Sequence, residues 1–169
     1  SNGSGGGAWE KIQGWGQYQD SRTTVGTPAL NIATGVRTKF VNNGGTLTLE
    51  NLPSDATSAL WNTATNKHIP IAVNDVYDLR ISFDAENYAG TDPYILCQLD
   101  IGGGLGVIFE QIIPLLKGGV RQPCAFAFPV YTASTYISNG GEIYLTYTGT
   151  GTCDIFSTAL LIHRQSRIL

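Results

Sequence analysis

The sequence predicts an all-β fold: two antiparallel sheets packed face to face as a β-sandwich. Three observations point there. Val76–Asp84 alternates without a break, with Tyr77, Leu79, Ile81 and Phe83 on one parity and Asp78, Arg80, Ser82 and Asp84 on the other. A strand sends successive side chains to opposite faces, so this segment has one buried and one wet face, as in an antiparallel sheet covered on one side. About eight to ten short β-prone runs are separated by turn signals at fairly regular spacing. No stretch carries the periodicity of an amphipathic helix. At 169 residues the chain reads as one domain, spanning 9–169, behind a flexible Gly/Ser-rich linker or tag remnant at 1–8.

Taken in order, Trp9–Tyr18 reads as an irregular first strand whose indoles cover one end of the sandwich. Ala29–Ile32 follows Pro28 as a short strand, turned by Thr34-Gly35 into Arg37–Val41. Asn42-Asn43-Gly44-Gly45 is a strong hairpin signal, and Thr46–Glu50 alternates again with Leu47 and Leu49 inward. From Asn51 to Ile69 the pattern lapses into a long connection with one or two helical turns, pinned by Trp61. Pro70–Asn74 leads into the central strand, which is followed by Tyr94–Ile101. Val107–Leu116 is interrupted at Pro114, which marks an edge position or a strand end. Arg121–Tyr131 places Cys124, Phe126, Phe128 and Val130 on one parity. Ser138-Asn139-Gly140-Gly141 is another hairpin signal, and Glu142–Thr148 and Cys153–Arg164 are the last two strands.

The closing strand is apolar on both parities. Ile155, Ala159 and Leu161 occupy one, and Phe156, Leu160 and Ile162 the other. An interior sheet face hides one set only, and soluble monomers avoid exposing the other as a contiguous patch. The expectation is therefore a homo-oligomer whose interface includes Phe156, Leu160 and Ile162.

Composition narrows the function. Charged residues are 14%, against roughly 25% in ordinary domains, and the net charge is −3, so there is no basic footprint for a nucleic acid. No apolar run is long enough to insert in a membrane as a helix. The chain has no methionine, which marks it as processed or cut from a longer protein. Cys97, Cys124 and Cys153 are odd in number and lack zinc spacing. They read as buried thiols without an obligatory disulfide.

Catalytic patterns are absent. Gly102–Gly106 follows a strand, but strand-like Val107-Ile108-Phe109 succeeds it, so it is a hairpin loop and not a dinucleotide fingerprint. His68 reads as a surface or capping residue of a loop, and His163 as an exposed strand end. Asp75, Asp78 and Asp84 lie on the wet side of the central strand and read as solvated carboxylates. No nucleophile elbow and no calcium loop occurs. The expectation is a protein that is not an enzyme, with no catalytic, cofactor-binding or metal-binding residues. Trp9, Trp15 and Trp61 are given packing roles. Their rival reading, as sugar-stacking platforms, makes the chain a carbohydrate-binding β-sandwich module of a larger glycan-active protein.

Gly14–Asp20 (Gly-Trp-Gly-Gln-Tyr-Gln-Asp), Arg37–Val41, the Trp61 loop, the Asp75–Phe83 strand and the closing Ile155–Ile162 together resemble a family. They are similar to the compact jelly-roll domains of tailed-bacteriophage structural proteins: head fibres, decoration proteins and tail-fibre knobs. Those domains resemble the trimeric tumour-necrosis-factor and complement-C1q (TNF/C1q-like) fold. The resemblance implies a jelly roll, a homotrimer and a non-enzymatic virion role. It also implies attachment to other virion proteins through an upstream segment, and contact with a host cell-surface glycan. A secreted cytokine-like ligand is a further reading, disfavoured by the odd cysteine.

Overall fold

The computed structural model describes residues 13–23, 26–89, 92–116 and 118–167. Among these residues the elements run β1 (Gly14–Gln19), β2 (Leu30–Ala33), β3 (Arg37–Lys39), β4 (Thr46–Thr48), β5 (Trp61–Asn62), β6 (Lys67–His68) and β7 (Asp75–Ala89). They continue β8 (Tyr94–Asp100), β9 (Val107–Pro114), β10 (Arg121–Tyr131), α1 (Ser134–Asn139), β11 (Glu142–Tyr147) and β12 (Thr150–Arg167). The larger sheet is ordered β10-β7-β12-β1-β4, with β2 also paired to β12; the smaller is β3-β11-β8-β9. All pairings between these strands are antiparallel. The two sheets form a jelly-roll sandwich, as the alternating pattern predicts. The expected linker at 1–8, and Trp9, lie outside the described residues.

The central strand is interior, with β10 on one side and β12 on the other. Tyr77, Leu79, Ile81 and Phe83 are all buried in the common core, facing Cys97, Leu99, Ile143 and Leu145 of the smaller sheet. Burying a side chain of this size stabilises by about 1.5–3 kcal/mol, which is why the pattern outlasts the whole strand. β9 is an edge strand of the smaller sheet and stops at Pro114, which has no amide hydrogen to continue a ladder. Cys97, Cys124 and Cys153 are buried free thiols. Burial pushes Cys124 and Cys153 up to about 12, and Cys97 further still.

Several expectations need correction. The lapse between Asn51 and Ile69 holds a two-stranded hairpin, β5-β6, and no helix. Trp61 does pin it, packed edge-on against Phe40 with ring centroids 6.3 Å apart. Leu47 is 45% exposed, not inward. The signal at Ser138–Gly141 closes α1 instead of a hairpin: Gly140 adopts φ 71° and donates its amide to the Tyr136 carbonyl.

The largest correction concerns β12. Its register against β7 shifts between Phe156 and Ala159: Phe156 lies opposite Asp84 and Ala159 opposite Ser82, so β12 spends one residue more than its partner. Ser157 turns the corner at φ 53°. One extra residue exchanges the two faces of a strand. Inward residues are therefore Cys153 and Ile155 before the bulge, and Leu160 and Ile162 after it, all in the core. The apolar residues on both parities are mainly one buried face, read through a change of phase.

Candidate functional site

The expected interface residues are not available to a partner. Leu160 and Ile162 are 1% and 0% exposed and belong to the core of the single chain. Phe156 points outward, yet it too is fully buried, because the Arg121 guanidinium lies over its ring at 3.8 Å. What the larger sheet does present is the opposite set on β12.

The registers align that outer face in rows across β10, β7, β12 and β1. Pro129, Asp78, His163 and Trp15 form the row nearest the chain ends. Ala127, Arg80, Leu161 and Gln17 form the next, and Ala125, Ser82, Ala159 and Gln19 the third. Residues of the first two rows line a cavity of about 320 Å³, with Trp15 and Leu161 supplying its apolar wall. Beside it, where Ala125, Ala127, Ser82 and Ala159 project little beyond Cβ, lies a hollow of about 420 Å³. Asp78, expected on the wet face, is 9% exposed, and its Oδ2 accepts from Arg80 Nε at 2.8 Å. His163 is half-buried on this face, not an exposed strand end.

The outer face of the smaller sheet is built differently. Arg37 donates to Gln98 at 3.0 Å and to Asp100 at 2.6 Å, while its guanidinium stacks 3.7 Å over the Tyr144 ring. Lys39 and Lys67 converge on Glu142 at 2.8 and 3.1 Å, and the Tyr144 hydroxyl donates to the same carboxylate. Partial burial alone would raise the Glu142 carboxyl; the hydrogen bonds from Lys39, Tyr144 and Lys67 outweigh it and hold it at about 2. Such a tied ionic network suits contact with water. The larger sheet's hollow, lined mostly by uncharged side chains, suits contact with another surface.

A second apolar surface runs along the edge of the smaller sheet. Val107, Ile108 and Ile112 of β9 are exposed, as are Leu105, Leu116 and Val120 at its ends, and Glu110 is the strand's sole charge. Sheet edges of this kind are commonly guarded by lysine or proline along their length.

Three buried polar side chains escaped the sequence reading. Arg164 is fully buried; it grips Asp55 through Nη1 at 2.5 Å and Nη2 at 3.2 Å, and reaches Asp75 at 3.1 Å. Asp75, expected to be solvated, is 0% exposed and also accepts from the Tyr77 hydroxyl and the Ala72 amide. Arg164 shares the parity of Leu160 and Ile162, so the phase change at the bulge was the one signal for its burial. His68, expected at the surface, is sealed between Tyr77 and Tyr136, with Nδ1 2.8 Å from the Tyr136 hydroxyl. Burial pushes its pKa down to about 3, so the ring is neutral. These groups have no access to solvent, and their geometry serves packing. Among the described residues no three His, Cys, Asp or Glu side chains are grouped to hold a metal ion. Among the same residues no helix is long and apolar enough to cross a membrane.

The two tryptophans among the described residues separate clearly. Trp61 is 1% exposed and cannot stack on a ligand, whereas Trp15 is half-buried and lines the 320 Å³ cavity.

No protein-family model matches this sequence, and no curated protein does. By structure the chain is similar to Eiger TNF from S. frugiperda, with a TM-score of 0.55 and 5% identity over 94% of this chain and 96% of that one. It is also similar to the PRD1 vertex protein P5, with a TM-score of 0.50 and 13% identity over 93% and 99%. At these identities the likeness is one of fold: a TNF-type jelly roll.

Proposed function

We propose that this chain is a non-enzymatic structural domain of a virion, assembled as a homotrimer. In its finer form it is a capsid-decoration, head-fibre or tail-fibre knob domain of a tailed phage, joined to other virion proteins upstream of β1. The observation that carries the reading is the contrast between the two outer faces. One is tied across its strands by ion pairs; the other is hollow, its cavity holding the single pair Asp78–Arg80 and lined otherwise by Trp15, Gln17, Leu161, His163 and small residues. A cyclic ring of identical subunits needs two unlike surfaces on every copy. The hollow face supplies one and the apolar edge of β9 the other. The likeness to a viral vertex protein supports the virion setting; the number three rests on the resemblance to the trimeric TNF/C1q-like domains.

The Trp15 cavity favours a second reading, a monomeric carbohydrate-binding module with Asp78, Arg80 and Gln17 around an indole. The two readings claim the same face, so mass decides between them. Light scattering at micromolar concentration is expected to return three chains. A monomer that binds sugar through Trp15 overturns the trimer.

A further inference from the structure

The larger sheet has two ends, and the first described strand begins and the last one finishes at the same end. Gly14 lies opposite Arg164 and Asp75 opposite Arg167, so β1 is entered and β12 is left at the same place. At about 3.3 Å per residue, Tyr88 near the other end of β7 is roughly 40 Å away. A domain mounted through either terminus turns the Tyr88 end outward.

That end carries a further row across the sheet. Arg121 pairs with Glu86, Glu86 with Asp154, and Asp154 with Asn31. Tyr88 follows Glu86 on the same parity of β7 and is 51% exposed. Its hydroxyl donates to Asp154 Oδ2 at 2.9 Å, and Asn31 Nδ2 donates to Oδ1 of the same carboxylate at 2.5 Å. The result is an exposed aromatic ring tethered in place, beside a carboxylate and an amide that also face outward.

We propose that Tyr88, Asp154 and Asn31 form a binding platform for a neutral saccharide ring. A pyranose has an apolar C–H face and a rim of hydroxyls, each both donor and acceptor. The Tyr88 ring offers a flat apolar surface to the first; the carboxylate and amide offer acceptors and a donor to the second. Because the ring is already tethered, less side-chain freedom is lost on binding. The local charge selects within the class. Glu86 and Asp154 are both acidic, and Arg121 is engaged with Glu86, Phe156 and the Thr23 carbonyl. A sialic or uronic acid is therefore repelled and a neutral hexose accepted. The inference rests on the virion reading for its partner, a host cell surface, and not for its chemistry.

Saturation-transfer NMR with galactose, glucose, N-acetylglucosamine and N-acetylneuraminic acid at millimolar concentration tests it. Transfer to at least one of the three neutral sugars is expected, and none to the acid. Tyr88→Ala should weaken binding about tenfold or more, as loss of an aromatic anchor does; Tyr88→Phe, which keeps the ring and frees it, should lose less. Trp15→Ala should leave binding unchanged. No transfer to any neutral sugar, or transfer indifferent to Tyr88→Ala, overturns the platform. Light scattering on the same samples reports assembly separately: a trimer without sugar binding refutes the platform alone, and sugar binding by a monomer through Tyr88 refutes the trimer alone.

Discussion

Neighbouring residues of β12 should fail in different ways if the bulge sets the phase of the strand. Ile162 is fully buried in the core, while Leu161 is partly buried on the outer face. Ile162→Ala removes buried methylenes and should cost about 2–5 kcal/mol of folding stability. Leu161→Ser should change the stability of the isolated fold little. Its loss falls on assembly. Fully burying a leucine is worth about 1.5–3 kcal/mol, and with roughly two thirds or more already covered about 0.5–1 kcal/mol per copy remains for the interface. Three copies give about 1.5–3 kcal/mol per trimer, roughly ten- to a hundredfold in the dissociation constant. Urea melts at two protein concentrations separate the effects. Ile162→Ala should lower the midpoint at both concentrations, and Leu161→Ser only where the wild type is associated. The reasoning is refuted if Leu161→Ser unfolds the chain, or if Ile162→Ala dissociates it without loss of stability.

Other outcomes follow from the buried groups. Arg164→Met leaves Asp75 buried without its cation and should cost about 3–5 kcal/mol by urea denaturation, since breaking one side of a buried pair strands the other. Because His68 is held near pH 3 when folded and takes up its proton near 6.5 when unfolded, stability is full above about 6.5 and declines as the pH falls toward 3. His68→Phe, followed by melts across that range, should flatten this slope. The three thiols are buried and raised, so iodoacetamide at pH 8 should modify none until denaturant is added, and reducing agent should leave the melting temperature unchanged.

Where contacts are set by local alternation, the sequence was a sufficient guide. β7 and β10 were legible because each keeps one phase along its length, and Pro114 announced the end of an edge strand. The phase of β12 was not, since the residue that turns it, Ser157, is neither glycine nor asparagine and carries no ordinary sign of a positive φ. The buried charges were lost for a related reason. Their parity points inward, Asp75 with Tyr77 and Leu79 and Arg164 with Leu160 and Ile162, but a charge reads as a sign of water, whereas the two pair in the interior from opposite halves of the chain. His68 was hidden by distance as well, its partner Tyr136 lying 68 residues on. The hollow outer face could be listed from the correct phase, but its depth depends on which small residues fall side by side across four strands.

The unguarded edge of β9 bears on the life of the newly made chain. Before subunits meet, Val107, Ile108 and Ile112 stand beside a row of backbone donors and acceptors that any other extended chain can extend into a ladder. Pro114 blocks such growth at one end and Glu110 discourages identical copies from stacking in register. For the proposed homotrimer, assembly is then a race between closing a ring and growing a ribbon. Crowding many freshly synthesised copies together favours the ribbon, so producing the chain slowly and cold should raise its soluble yield more than adding denaturant and refolding it at high concentration.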